Sequence, residues 1–310
     1  MTFTSVNPHD PADVVGEWES ASERDVAAAV ERASRSAQTW RRAPGPVRAA
    51  ALGQAAAAGV TVNRVSQGSG AMLLAEAELA EMARIGADSG IEVSLFVGPR
   101  EEWDTGRSAV AADGPSLAGQ LRGTRQLRYA IDDVLRGVEQ GIRGFLVADT
   151  GVLQLLAGMQ AAGQIPASVV WKVSATAAPS NPVSLRQFEQ LGGSTVNVPS
   201  DVTLGQLAEM RAAVSVPIDL YVEAPDGLGG VVRGHEAADL IAVAAPMYVK
   251  FGLRNSRPLY PSGVHLVGEA TAIAREKVHR AGVALEWIAR SGLDLVQSGP
   301  GAKGLGVPEP

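Results

Sequence analysis

The chain has 310 residues, of which 46% are hydrophobic and 19% charged, which is typical of a globular protein and not of a disordered one. Its formal net charge is −6, and no stretch gathers Lys and Arg on one face, which argues against direct binding to nucleic acid. The absence of cysteine excludes disulfides, thiolate nucleophiles, iron–sulfur clusters and Cys-ligated zinc in this chain.

The first residues, MTFTSVNPHDPADVV, lack the basic segment and apolar run of a secretory signal. No segment approaches the roughly 18 continuous apolar residues of a membrane span. We therefore expect a cytoplasmic protein with no membrane partner.

Residues 7–52 contain NP, then VVGE, then a helical AV..A...A..W pattern, then R...L. This segment resembles the N-terminal leader of an aldehyde dehydrogenase. The resemblance implies no dehydrogenase activity, because that family needs a cysteine nucleophile and a complete dinucleotide domain. We expect residues 1–58 to form a helical appendage.

From Val60 onward, short β-branched runs alternate with amphipathic or Ala/Leu-rich stretches, the pattern of βαβ units. The predicted strands are Val60–Ser66, Ile91–Gly98, Gly144–Asp149, Ser168–Ala175, Thr195–Ser200, Pro217–Ala224 and Met247–Leu253. The predicted helices are Leu73–Gly86, Leu127–Gly141, Gly151–Gly163, Pro182–Gly192, Thr203–Val214, Glu236–Ala244 and Glu269–Arg290.

This order predicts an α/β fold, a (β/α)8-type TIM barrel, over residues 59–296. Seven strands leave one missing, and an open barrel would expose unpaired main-chain groups. The first strand is therefore incomplete or replaced, and Val14–Trp18 is the candidate to replace it.

Two segments fall outside the regular alternation. Pro99–Arg125 shows no sustained periodicity and is long for a simple connection, so we expect a lid or a partly disordered loop. Residues 297–310 are rich in Gly and Pro and bury little apolar surface, so we expect a flexible tail.

Apolar and polar residues alternate within the predicted strands. In IDLYVEA, for example, Asp219, Tyr221 and Glu223 share one face. We expect such residues to line the barrel axis near a site at the C-terminal ends of the strands. The alternative is a buried polar network that only fills the barrel. The other residues predicted to face inward are Thr61, Asn63, Glu92, Ser94, Asp149, Lys172, Ser174, Thr195, Asn197, Tyr248 and Lys250.

The chain has only four lysines, and two of them, Lys172 and Lys250, fall in the middle of strands. An inward lysine destabilises a protein unless it is paired or used. Three uses are open: a Schiff-base amine with a lowered pKa, a clamp for a substrate carboxylate or phosphate, or a partner of Glu223.

Glu223 and Asp149 lie at or near strand C-terminal ends and are the predicted general acid/base groups, because a barrel mouth can raise the pKa of a carboxyl toward neutrality. For Asp149, helix capping before Thr150–Gly151 is the alternative. Arg64 and Arg254 are predicted to hold an anionic group. The full predicted substrate-binding set is Asn63, Arg64, Ser174, Asn197, Tyr221 and Arg254.

Histidine does not indicate a metal in this sequence. His235, His265 and His279 have no partner at metal-ligand spacing. We therefore expect neither a metal nor another cofactor.

The blocks VADTGVLQLL, KVSATAAPSNPVSLRQFEQLGGSTVNVPSDVTLGQLAEM and IDLYVEA lie within residues 59–290, and this part of the chain resembles the collagenase-like peptidase family U-32. In the family's pattern, Ser174, Asn181 and Thr203–Leu207 occupy a polar strand end, an Asn and a helix start. The resemblance implies a barrel hydrolase. The chain departs from the family where EAPDGLGGVVRG replaces its histidine–glycine signature, and in having no cluster cysteines.

These observations favour a metal-independent hydrolase that acts on a small or peptide-like substrate through Lys172, Lys250, Glu223 and Asp149. One alternative is a Schiff-base lyase or aldolase that uses Lys172 or Lys250. The other is a non-catalytic binding protein or damaged gene fusion. The sequence leaves open whether the protein forms a homo-oligomer.

Overall fold

The computed structural model describes residues 2–7, 10–19, 22, 46–100, 104–105 and 119–310. The chain divides into two compact units, Met1–Pro44 and Gly45–Pro310. This division precedes the boundary expected at residue 58, because helix α1 (Pro46–Ala57) belongs to the second unit.

The described part of the first unit is a β-hairpin. Strands β1 (Thr2–Asn7) and β2 (Asp10–Glu19) pair in antiparallel fashion, and among the described residues they pair only with each other. The expectation that Val14–Trp18 completes the barrel sheet is therefore wrong, since this segment belongs to β2. The predicted helix of the appendage lies outside the described residues.

The second unit contains a seven-stranded parallel sheet, and it confirms all seven predicted strands. The strands follow one another in chain order across the sheet, as expected for successive βαβ units. They are β3 (Arg64–Gln67), β4 (Glu92–Phe96), β5 (Gly144–Val147), β6 (Val170–Val173), β7 (Thr195–Asn197), β8 (Ile218–Glu223) and β9 (Met247–Phe251).

Helices follow the strands and agree with the predicted ones to within a few residues at each end. They are α2 (Glu76–Ser89), α3 (Gly123–Glu139), α4 (Thr150–Ala161), α5 (Pro182–Gln190), α6 (Leu204–Ala213), α7 (Ala237–Ala244) and α8 (Val267–Ser291). No helix in the described part of the chain is long and apolar enough to cross a membrane.

Local side-chain caps determine where several of these helices begin. Asp149, Asn181 and Thr203 each accept a hydrogen bond from a main-chain N–H in the first turn of α4, α5 and α6. Helix α2 ends at Gly90, whose φ of 63° is accessible to glycine without steric strain.

The apolar core lies between the sheet and the helices. On several strands the apolar residues occupy the face toward the helices, and the polar residues occupy the opposite face. The buried strand residues of this core are Val93, Leu95, Phe145, Val147, Trp171, Val173, Val196, Ile218, Leu220 and Val222.

The sheet curls around an axis. The guanidinium carbon of Arg64, on β3, lies 3.7 Å from the centre of the Tyr248 ring, on β9. The Nη1 atom of Arg64 also lies 2.9 Å from Oδ1 of Asp219, on β8. A flat sheet would separate β3 from β9 by roughly 29 Å, about six strand spacings. The second unit therefore has the architecture of a (β/α) barrel, with seven strands in the part of it that the structure describes.

Helices cover the seam between the first and last strands of this sheet. Helix α8 packs against both β9 and α1. Ala55 of α1, Val60 in the approach to β3 and Val278 of α8 form a separate apolar cluster. Helices α1 and α8 thus protect the side of the barrel where, among the described residues, no eighth strand lies between β9 and β3.

The predicted flexible tail contacts the N-terminal ends of the strands. Asn63 donates from Nδ2 to the carbonyl oxygens of Ser298 and Gly299, each at 3.0 Å. The Glu309 carboxylate lies 2.9 Å from Nε of Arg143, just before β5. These contacts correct the expectation of flexibility: hydrogen bonds and an ion pair hold the tail, whereas the sequence argument considered only apolar burial.

The predicted lid, Pro99–Arg125, is described only in part. Residues 101–103 and 106–118 lie outside the described residues. At one end of the segment, Arg100 donates from Nη2 to the carbonyl oxygen of Gly68 at 2.7 Å. At the other end, helix α3 begins at Gly123, so the connection is shorter than expected.

Candidate functional site

Asp219, on β8, is the central carboxylate of the barrel axis. Its Oδ1 atom lies 2.9 Å from Nη1 of Arg64 and 3.0 Å from Nζ of Lys172, and all three side chains are buried. Burial alone would raise the pKa of this carboxyl, but Lys172 and Arg64 hold the pKa well below its usual value. Asp219 is therefore ionised at neutral pH and is bound by both basic side chains.

Arg64, which was predicted to hold an anionic group, has a buried side chain inside the barrel. It is the first residue of β3, near the N-terminal end of the axis. Its Nε atom lies 2.6 Å from Oε1 of Glu92, its Nη1 atom reaches Asp219, and its guanidinium stacks on Tyr248. Because two carboxylates and one aromatic ring already contact its guanidinium, Arg64 has a structural role in the barrel axis.

Lys172 is sealed within the barrel. Its side chain is 1% exposed and is paired with Asp219. Burial, and next the positive charge of Arg64, lower the pKa of its amine from 10.5 to about 7. Lys172 is thus a buried amine held by a carboxylate.

Lys250 has different surroundings, because it is only partly buried and its contacts carry no negative charge. Its Nζ atom donates to Oδ1 of Asn197 and lies 3.9 Å from the centre of the Tyr221 ring. Within the described residues, no carboxylate lies within ion-pair distance of this amine. Burial lowers the pKa of Lys250 to about 8.

Asn197 and Tyr221 fix the position of the Lys250 amine. The Asn197 side chain donates from Nδ2 to the carbonyl oxygen of Val173 at 2.6 Å, which turns its Oδ1 atom toward Lys250. Tyr221 is paired with Lys250 across the β8–β9 ladder. Burial raises the pKa of Tyr221 to about 12, so its hydroxyl stays protonated at neutral pH.

Glu223 lies at the C-terminal end of β8, as predicted. It was also predicted to pair with Lys172 or Lys250, but its contacts are with other residues. Its Oε1 atom accepts from the main-chain N–H of Arg254 at 3.0 Å, and its Oε2 atom lies 3.7 Å from Nε of Arg280, on α8. Lys277, also on α8, is close enough to Glu223 for the carboxylate to act on its pKa, although burial, the larger effect, lowers that pKa.

The remaining predicted residues have mainly structural contacts. Asp149 accepts main-chain N–H groups at both oxygens, from Val152 at 2.9 Å and from Leu121 at 3.0 Å, so the capping alternative describes it. Ser174 accepts from the N–H of Thr176 at the end of β6.

Two predicted substrate-binding residues lie away from the axis. Asn63 holds the tail at the N-terminal face, as described above. The Arg254 side chain is 58% exposed and lies 3.4 Å from the Asp226 carboxylate. These positions do not support direct roles for Asn63 or the Arg254 side chain beside Lys250.

Sequence reasoning missed the interior ion pairs. Asp219 and Glu92 were predicted to face inward, but not as counter-ions of Arg64 and Lys172. Lys277 was missed altogether because it lies on a helix. One signal for it was available, since it is one of only four lysines in a chain that otherwise uses arginine.

No group of three or more His, Asp or Glu side chains in the described part of the chain has the arrangement of a metal site. Fold and site together define the class of protein: a (β/α) barrel with two lysines on its axis, one sealed by a carboxylate and one partly accessible.

No protein-family model and no curated protein matches the chain. The resemblance of residues 7–52 to an aldehyde dehydrogenase leader therefore receives no support.

The chain is similar to several solved structures, among them the following three. The U32 peptidase Mk0906 has 21% identity over 54% of this chain, with a TM-score of 0.36, and the match spans 62% of the peptidase. The YdjI aldolase from Escherichia coli K12 has 11% identity over 81% of this chain and 99% of its own, with a TM-score of 0.36. A mandelate oxidase mutant has 16% identity over 74% and 73%, with a TM-score of 0.40. Such values place the chain in none of the three families.

Proposed function

We propose that this protein is an enzyme that forms a Schiff base between Lys250 and a small carbonyl substrate, as a lyase or aldolase does. The observation that carries the proposal is the setting of Lys250: a partly accessible amine on a barrel axis, held by an amide and a ring and free of any carboxylate partner among the described residues. Such an amine loses its proton at a lower pH than an exposed lysine does, and it is accessible to a substrate.

The reaction balances as a condensation. The neutral Lys250 nitrogen forms a bond to the carbonyl carbon, and the carbonyl oxygen takes up protons and leaves as water. The product is a protonated imine, which accepts the electron pair of a neighbouring C–C or C–H bond when that bond breaks.

The neighbouring residues supply position and proton transfer in this proposal. Asn197 directs the amine, and Tyr221 provides a neutral hydroxyl and a ring face. Lys172 remains a structural and electrostatic neighbour, because Asp219 already occupies its amine.

Hydrolysis is supported less by the contacts at this site. A hydrolase of the predicted kind needs a carboxylate that can activate water. Asp149 has both oxygens committed to main-chain N–H groups, and Glu223 is committed to Arg254 and Arg280. The resemblance to U-32 peptidases is then the remaining support for peptide cleavage.

Borohydride trapping tests the proposal directly. Incubation with pyruvate, hydroxyacetone or glycolaldehyde and sodium borohydride should give a secondary amine on Lys250, located by peptide mass spectrometry. Lys250→Arg keeps the positive charge and should abolish the adduct, whereas Lys303→Arg, in the tail, should not. The absence of an adduct on Lys250 with every probe would overturn the proposal, and an adduct on Lys172 would transfer the role to that residue.

A further inference from the structure

Ser66, on β3, carries an exposed hydroxyl on the inner face of the barrel. Its neighbour Val65 packs against the apolar core between the sheet and the helices, so Arg64 and Ser66, on either side of it, point to the opposite face. The Arg64 side chain is only 5% exposed, whereas Ser66 is an exposed residue. The inner face of β3 is therefore sealed at Arg64 and accessible to solvent at Ser66.

The accessible position of Ser66 corresponds to the position of Lys250 on β9. The guanidinium of Arg64 lies 3.7 Å from the centre of the Tyr248 ring, which relates β3 directly to β9. All strands of this sheet run in the same direction, so two residues further along β3 and β9 are Ser66 and Lys250. Side chains two residues apart on a strand point to the same face. Ser66 and Lys250 thus follow the Arg64–Tyr248 contact as the next inward pair.

Hydrogen bonds at the C-terminal face join the end of β3 to the segment that follows β9. Ser262 donates from its main-chain N–H to Oγ of Ser69 at 3.0 Å, and the two hydroxyl oxygens lie 3.1 Å apart. The Tyr260 ring lies so close to Gly68 that a methyl group at this glycine would be 2.7 Å from it. These contacts fix the strand that carries Ser66 relative to the strand that carries Lys250.

The Ser66 hydroxyl is available to a substrate. Within the part of the chain that the structure describes, it makes no hydrogen bond. The Asn197 side chain, by contrast, already donates to the carbonyl oxygen of Val173 and accepts from Lys250. Because a hydroxyl both donates and accepts, Ser66 offers a hydrogen-bond donor that no described group occupies.

We propose that Ser66 is a catalytic residue of the Schiff-base reaction, and that its hydroxyl donates a hydrogen bond to the substrate carbonyl oxygen while Lys250 attacks the carbonyl carbon. This inference rests on the proposed Schiff-base function. As the C–N bond forms, the electron pair of the C=O double bond moves onto the oxygen, and a donor at that oxygen stabilises the developing negative charge. The oxygen then takes one proton from the Lys250 nitrogen and one from solvent and leaves as water, so Ser66 has no net change in protonation.

This role predicts an effect on the rate of imine formation and not on its equilibrium. The imine no longer contains the carbonyl oxygen, so the hydrogen bond from Ser66 is absent from the product. Incubation with glycolaldehyde, sampling at increasing times and quenching with sodium borohydride give both quantities from the modified fraction of Lys250, measured by peptide mass spectrometry. Ser66→Ala should lower the rate by roughly tenfold to a hundredfold, because water replaces an exposed donor better than an enclosed one. The plateau should stay at the wild-type value.

Ser66→Thr and Ser66→Val provide a matched pair, since the two side chains have nearly the same shape and only threonine keeps the hydroxyl. Both are β-branched and suit a strand, so both variants should melt at the wild-type temperature. Ser66→Thr should keep most of the wild-type rate, and Ser66→Val should be as slow as Ser66→Ala. Ser291→Ala, which changes an exposed serine at the end of α8, should leave the rate unchanged.

The outcomes separate this inference from the Schiff-base proposal. An adduct on Lys250 that forms at the wild-type rate in Ser66→Ala and Ser66→Val would refute the role of Ser66 and retain the Schiff base. A slower rate with a lower plateau would show that Ser66 stabilises the imine or the folded site, and would also refute the catalytic role. The absence of any adduct on Lys250 in the wild type would refute both proposals.

Discussion

Asp219→Asn tests whether the buried ion pairs of Asp219 with Arg64 and Lys172 stabilise the barrel. The substitution keeps the size of the side chain and removes its negative charge. It leaves Arg64 and Lys172, at 2.9 and 3.0 Å, without their shared carboxylate in a fully buried position. Breaking a buried ion pair by removing one partner typically lowers the free energy of unfolding by about 3–5 kcal/mol.

The loss of stability caused by Asp219→Asn should become larger as the pH falls. In the wild type Lys172 has a pKa of about 7, against 10.5 for an exposed lysine, and Asp219 is one of the groups that raise it from a still lower value. Without Asp219 the folded state binds that proton only at lower pH, while the unfolded state still binds it. The stability difference between variant and wild type should therefore increase by about 1 kcal/mol from pH 8 to pH 6.

Urea denaturation at pH 6, 7 and 8 provides the measurement. Asp226→Asn is the matched control, since Asp226 makes an exposed ion pair with Arg254 and should lose less than about 1 kcal/mol. If Asp219→Asn is no more destabilising than this control, or if its effect grows with rising pH, the reasoning about the buried axis is refuted.

Three further predictions concern the amine, the tail and a helix start. The rate of borohydride trapping on Lys250 should rise with pH and reach half its plateau near pH 8, because burial lowers the pKa of the amine to about 8; a midpoint above pH 10 would contradict this. A methyl group at Gly306 would lie 2.5 Å from a main-chain oxygen, so Gly306→Ala should destabilise by about 1–3 kcal/mol, while Gly299→Ala, with nothing within 4 Å, should leave the melting temperature unchanged. Asp149→Ala should lower the free energy of unfolding by about 1–2 kcal/mol through loss of the α4 cap, and Asp201→Ala, which removes no cap, should have little effect in the same urea titration.

The barrel strands were predictable because their signal is local. Runs such as IDLYVEA and MYVKFGL combine β-branched or aromatic residues with alternation, and each became a strand in the expected place. The tail was not predictable in this way, because its order depends on hydrogen bonds to Asn63 and Arg143, which are distant in sequence.

The site was predictable in its composition but not in its pairing. Alternation correctly placed Lys172, Asn197 and Lys250 inside the barrel. The partner of each lysine depends on the curl of the sheet and on ladder register, neither of which is encoded in a single strand. For this reason the sequence offered Glu223 as the partner of the lysines, whereas Asp219, four residues earlier on the same face, is the one that Lys172 contacts.

The difference between the two lysines gives the strongest physical reason for assigning reactivity to Lys250. The Lys172 amine is 1% exposed and is bound by the Asp219 carboxylate, so a substrate carbonyl has no access to it, whereas the Lys250 amine is partly accessible. An amide oxygen orients an amine without adding negative charge, and Asn197 does this for Lys250. Asn197→Asp would place a carboxylate in that position, and it should raise the pKa of Lys250 and move the midpoint of borohydride trapping to higher pH. A midpoint that does not move in Asn197→Asp would mean that the Asn197 contact does not govern the amine.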